Sequence, residues 1–222
     1  AFALPSEYDD LLKQHITALY NNDLYIERLA SEIYAVRDLA KDEAAMFEIS
    51  RKITAATTIK LINSGIARLN DEDVRSYVYY LSALSAKLSD AECKLFFSDG
   101  GGSNTVELGT IAKLGRTHLA NYLALQRRGI EAELSNYPAT ILLTKDQIEL
   151  ARQAYRAALI IALEKLTPAE SRRITNALKN IDAANGKDMC DSTYMVYTTY
   201  HDLQGLSGNW SRRQLIQEVA RQ

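Results

Sequence analysis

Glycine and proline are scarce in this chain, 10 and 3 of 222 residues, and long stretches contain neither. A β-sandwich or barrel needs a turn roughly every 8 to 12 residues, so this scarcity argues against both and leaves an all-α chain. Long apolar runs are missing too. The unbroken run Ala157 to Leu163 falls far below the roughly 18 to 20 residues that crossing a bilayer needs, so no membrane span is expected. Cysteine is limited to Cys93 and Cys190, which cannot supply a CxxC pair or a four-thiolate metal centre. None of the three histidines, His15, His118 and His201, has a carboxylate three or four residues upstream, as a helical metal site requires. No metal and no cofactor are therefore expected.

Positive charge is not in excess either. The formal net charge is −2 and the isoelectric point is near 6.0, which removes the long-range attraction to phosphates that a nucleic-acid binder shows. The glycine-rich stretch Ser98 to Asn104 is followed by no Gly-Lys-Ser/Thr and preceded by no strand signal, so it reads as a surface loop rather than a phosphate cradle.

What is present is ample material for a core, with 47% hydrophobic residues. The clearest helix spans residues 144 to 166. Ile148, Ala151, Tyr155, Leu159, Ala162 and Leu166 form one apolar stripe on it, and Leu150, Ala154, Ala157 and Ile161 form a second beside it. Because this apolar arc exceeds half the circumference, the helix is expected to be the buried centre of an irregular bundle of about seven to nine helices. Its start is a capping box, Thr144 with Gln147, and Thr167-Pro168 with Glu170 opens the next helix. Ser89 with Glu92 and Asn70 with Asp73 mark further starts. From Asp23 to Ser64 the helical spacing of apolar residues continues, which predicts one very long helix or two nearly collinear ones, with Gly65 as a local weakness or terminus. Residues 188 to 203 hold several β-branched residues, but a lone strand would have no partner, so a helix capped at Asp191 or Ser192 is expected. Ser211 and Gln214 predict the start of a final helix. The pairs Arg127-Arg128, Arg172-Arg173 and Arg212-Arg213 read as solvated edges, because adjacent helical positions differ by about 100°.

The chain is read as one domain over residues 1–222. A weaker two-unit organisation, 1–98 and 105–222, is suggested by the match between Lys87-Leu88-Ser89-Asp90-Ala91-Glu92 and Lys165-Leu166-Thr167-Pro168-Ala169-Glu170. The even cysteine count and the Ala1-Phe2-Ala3 start, which has the form preceding signal-peptidase cleavage, together predict a Cys93–Cys190 disulfide and a periplasmic or secreted protein. The cytoplasm is the alternative. Such a bridge closes a loop of about 100 residues and stabilises by roughly 4 to 5 kcal/mol in the chain-entropy treatment.

For function, the prominent signal is 13 tyrosines against 4 phenylalanines, since tyrosine is over-represented where proteins meet proteins. The expectation is a protein-binding protein rather than an enzyme, of the inhibitor or immunity type directed at an exported enzyme. Its candidate contact residues are Tyr194, Tyr197, Tyr200, His201 and Trp210, together with the Ser98 to Asn104 loop. The alternative is a hydrolase built around His201 or His118, with carboxylates supplied by other helices.

Overall fold

A computed structural model describes residues 6–98 and 104–220. All regular structure among them is helical, as the low glycine and proline content predicts. The elements are α1 (Asp9–Tyr20), α2 (Asp23–Ala35), α3 (Glu43–Ile66), α4 (Asp71–Lys87), α5 (Asp90–Ser98), α6 (Asn104–Ala112), α7 (Arg116–Ser135), α8 (Lys145–Glu164), α9 (Pro168–Lys179), α10 (Gly186–Asp202) and α11 (Gly205–Val219). Eleven α-helices are described, more than seven to nine, and the expected continuity over residues 23 to 64 is broken. Asp42 accepts a hydrogen bond from the Ala45 N–H at 2.7 Å and starts α3 afresh, so α3 folds back on α2 instead of prolonging it. Gly115, at φ 104°, separates α6 from α7.

The capping boxes at Thr144 and Thr167 both form, and Asn70 caps α4 through the Asp73 N–H at 2.9 Å. Two expected boundaries move. The helix around residue 190 begins at Gly186, capped by Asn185, and its threonines are accommodated because Thr193 and Thr199 donate back to the Met189 and Met195 carbonyls. The final helix begins at Gly205, which leaves Ser211 inside it, donating to the Ala151 carbonyl of α8 at 2.9 Å.

The centre of the bundle is not the 144–166 helix. Ala151 is the one fully buried residue of α8, whereas α4 and α7 contribute Val78, Leu84, Leu119, Tyr122, Leu123 and Ile130, all essentially inaccessible. The first apolar stripe of α8 packs toward α11 and α10, while Leu150 and Ile161 of the second stripe stay half exposed. A wide apolar arc shows that a helix needs covering; it does not show that one chain supplies all the cover. The core helices were harder to read because buried polar residues such as Ser82, Ser85 and Gln126 interrupt their apolar pattern.

The most extensive packings are α4 on α10 and α3 on α7. Tyr79 lies beside His201, Ser82 hydrogen-bonds Thr198 at 2.7 Å and the Leu88 end approaches Cys190, so α4 and α10 run antiparallel. A single buried cluster extends from Leu19 to Ile216 and takes residues from both sides of the glycine stretch. The α3–α7 contact depends on glycine. A Cβ placed on Gly65 would lie 1.8 Å from the Gly129 carbonyl oxygen, so the two backbones touch with no side chain between them. Beyond the contact, Arg68 Nε donates to Glu133 at 2.6 Å and Arg68 Nη2 to Asn136 at 3.0 Å, fixing the two helix ends side by side. Gly65 therefore stands at the terminus of α3, which ends at Ile66, and is a packing requirement there rather than a local weakness.

Cys93 and Cys190 are bridged, with Cα atoms 5.6 Å apart, and the bond ties α5 to α10 among Leu88, Phe96 and Phe97. Arg212 and Arg213 depart furthest from expectation, since both are buried. Arg212 Nη1 donates to the Tyr200 carbonyl at 2.9 Å and the Leu203 carbonyl at 2.8 Å, satisfying the C-terminal end of α10. Arg213 pairs with Asp71 at 2.6 Å and donates to the Leu69 carbonyl at 3.1 Å, which holds the α3–α4 turn. Their 100° separation places them on two edges of α11, and each edge meets a different neighbour.

Glycine-to-alanine substitutions separate these packing roles. Gly65→Ala is expected to lower unfolding free energy by about 2 kcal/mol or more through overpacking. Gly129→Ala, whose nearest new contact is the Ile66 side chain at 3.3 Å, should cost less. Gly109→Ala, in open space on α6, should be neutral or stabilising by about 0.5 kcal/mol. Urea denaturation of the three variants checks the order. For the bridge, unreduced protein should titrate no free thiol when unfolded, and the Cys93→Ser/Cys190→Ser variant should lose roughly 4 kcal/mol of stability.

Candidate functional site: an apolar groove between the first three helices

The five residues expected to form a contact surface do not share one. Tyr197 turns inward against Phe97, with ring centroids 6.3 Å apart, and burial pushes its phenol up to about 12. Tyr200 stacks flat on Tyr155 of α8, centroids 4.0 Å apart and planes 9° from parallel; burial raises both phenols, that of Tyr155 to about 12. These rings join helices and stay protonated in neutral solution. His201 rests on Tyr79, whose ring also faces His118, and its Nδ1 lies 2.9 Å from Asp202. Trp210 is half-buried on α11. Tyr194 is exposed at the lip of a hollow of 660 Å³ between α8, α9 and α10, where Leu166, Ile174 and Met195 form the apolar side and Arg173, hydrogen-bonded to Asp188 and Asp191, forms the polar side. Of the expected contact loop, residues 99–103 lie outside the described residues.

A larger hollow lies elsewhere, between α1, α2 and α3, with a volume of 1060 Å³. Its floor is buried and mostly apolar: Leu19, Tyr25 and Leu29, with the polar atoms of His15 and Thr58 among them. The Thr58 hydroxyl donates to the Thr54 carbonyl at 2.6 Å, so Tyr25 Oη donates to Thr58 Oγ1 at 2.7 Å, and both hydroxyl protons are used within the fold. The rim is apolar and exposed. Ile16 is 50% accessible, Tyr20 55% and Phe47 68%, and Tyr20 meets Tyr25 edge-on at 6.2 Å. Arg51 stands on the α3 rim, paired with Glu48 at 2.9 Å.

Helical spacing alone puts exposed Phe47 on the same apolar stripe as buried Tyr25 and Leu29. The usable signal was excess: α1 and α2 carry more large apolar side chains than one buried stripe can use, since Ile16, Tyr20, Leu24 and Ile26 remain in water. Groove and core cannot be told apart from periodicity, because both are apolar faces at helical spacing.

His15 contributes an imidazole to the groove floor. Its Nδ1 lies 3.3 Å from Arg127 Nη1, where a neutral ring can accept a hydrogen bond and a cationic ring cannot. Burial, followed by the Arg127 charge, holds its pKa down at about 4, against a hydrogen bond to the Leu123 backbone that acts in the opposite direction. No group of three or more His, Cys, Asp or Glu side chains that could hold a metal ion occurs among the described residues. No helix among them is long and apolar enough to cross a membrane. No family model, curated protein or solved structure matches this chain.

The low His15 value implies a pH dependence of stability. Between about pH 6.5 and pH 4 the unfolded chain binds a proton at His15 that the folded chain does not. Stability from this group is therefore complete above the unfolded pKa and declines as pH falls through that window, by a few kcal/mol, on the order of 3. Denaturant titrations at several pH values should show this decline in the native protein and a shallower one in His15→Gln. Equal slopes would show that His15 takes up its proton without loss of the folded state.

Proposed function

We propose that this protein is a binding protein that receives an amphipathic helix of a protein partner in the α1–α2–α3 groove. The observation that carries the reading is the combination of a buried apolar floor with a rim of exposed large side chains, Ile16, Tyr20 and Phe47. A small molecule lying on the floor would leave that rim in water, whereas a macromolecular partner covers floor and rim together. The walls are themselves helical rows, Ile16 and Tyr20 on α1, Ile26 and Ile33 on α2, Phe47 and Thr54 on α3. A fourth helix set among them would complete ordinary ridge-into-groove packing.

The rest of the reading is an exported inhibitor or immunity-type partner of an exported enzyme. The buried Cys93–Cys190 bridge supports an oxidising compartment, since such bonds persist there and are rare in the cytosol. The near-neutral charge, −2, favours a protein partner over nucleic acid. The hydrolase alternative draws on one feature, the meeting of His118 and His201 across Tyr79. That arrangement stacks rings and sets the Asp202 carboxylate beside His201, but among the described residues no hydroxyl or thiol is hydrogen-bonded to either ring as a nucleophile would be to its base.

The test is a partner captured with the native protein and then measured by calorimetry. Phe47→Ala and Tyr20→Ala should each weaken binding about 30-fold, equivalent to about 2 kcal/mol, as central aromatic anchors do. Tyr194→Ala should leave affinity within about twofold, inside the range of energetically neutral interface positions. Binding indifferent to both groove substitutions, or hydrolytic activity abolished by His201→Ala in a folded protein, would overturn the proposal.

A further inference from the structure

A second surface is independent of the groove. On α8 the inner stripe meets α11 and α10, with Ala151 buried and its carbonyl accepting from Ser211 of α11. The outer row Leu150, Ala154, Ala157 and Ile161 is spaced by four, three and four residues, which keeps it within about 60° of helix circumference. Among the described residues it stays largely in solvent: Leu150 is 50% accessible, Ile161 54%, and Ile160 on its edge 56%, with Ala157 exposed and Ala154 half-buried. We infer that this row pairs antiparallel with the same row of a second copy of this chain.

The ground for choosing a second copy is that the row reads the same in both directions. Large, small, small, large is followed outward by one polar residue at each end, Gln147 and Glu164, which continue the same spacing. A two-fold interface requires such self-complementarity, because each position meets its reversed counterpart, whereas a foreign partner imposes no such symmetry. Antiparallel pairing sets Leu150 opposite the partner's Ile161, and Ala154 opposite the partner's Ala157. The alanines at the middle let the axes approach to about 8 Å, and the larger residues close the two ends. Gln147 uses its Oε1 to accept from the Thr144 N–H at 2.9 Å in the capping box, which leaves its amide N–H groups to donate to the partner's Glu164 carboxylate. The positive N-terminal end of each α8 also lies beside the negative C-terminal end of the other. Pairing thus covers the second stripe that the sequence marks as needing cover and that the single chain leaves in water.

Light scattering or sedimentation equilibrium across the micromolar to millimolar range reads the outcome. The mass should rise with concentration from the single-chain 24.8 kDa toward twice that value. Ile161→Glu and Ala157→Lys should each weaken dimerisation at least about tenfold, with helical signal and melting unchanged because both positions already face solvent. Orientation is read by oxidative cross-linking. A mixture of Leu150→Cys and Ile161→Cys chains should cross-link, whereas Leu150→Cys alone should not, since antiparallel pairing holds the two Leu150 positions about 16 Å apart along the axis. A single-chain mass at all concentrations would overturn the inference. So would a dimer that survives both charge substitutions, or efficient cross-linking of Leu150→Cys with itself.

Discussion

The backbone contact between Gly65 and Gly129 is the constraint on which the rest of the arrangement rests. With no side chain separating α3 from α7, the helices meet along their C-terminal parts, and Ile62 and Ile66 reach into the core. Both α1 and α2 then pack on α7, and α2 packs on α3 as well. The angle at which α1, α2 and α3 enclose the groove is thus inherited from one close crossing outside the groove itself. Arg68, joined to Glu133, Asn136 and the Pro138 carbonyl, stops the two ends from sliding.

The other half of the molecule is held by polar rather than steric means. Arg212 sits in the interior with carbonyl oxygens and the Asn209 amide as its partners, and burial, followed by the nearby Arg75 charge, holds its guanidinium below its usual pKa. A buried cation without a carboxylate partner is costly unless other acceptors surround it. Here the unpaired carbonyls at the end of α10 fill that role, so two costs of burial offset each other. Arg213 and Asp71 do the same at the α3–α4 turn. Together with the Cys93–Cys190 bridge at the opposite end of α10, these contacts fix that helix at both termini and so set where α8 lies, through the Tyr155–Tyr200 stack.

The groove and the outer face of α8 share no helix. A pair joined through α8 would leave both grooves free, and two linked grooves meeting a partner with two copies of the same helix would bind by avidity without any new contact. Such an arrangement suits a protein whose single-chain contact, one helix in one groove, is modest in area.

What the sequence by itself determined is local chemistry. The helix starts at Thr144, Thr167, Ser89 and Asn70 were legible because a cap needs a side chain and a backbone N–H within three residues of each other. The all-α class followed from the shortage of turn residues, and the expectation of a bridge from the even cysteine count read with the Ala1-Phe2-Ala3 start. Only the tertiary structure decided which apolar stripe of α8 was covered, which aromatic residues were structural and which arginines were buried. It also decided that Gly65 was a contact and that the excess apolar residues of α1 and α2 enclosed a groove. Each of these depends on the neighbour a face meets across the fold. Helical periodicity records that a face is apolar, and it is identical whether that face meets the core, a hollow or another chain.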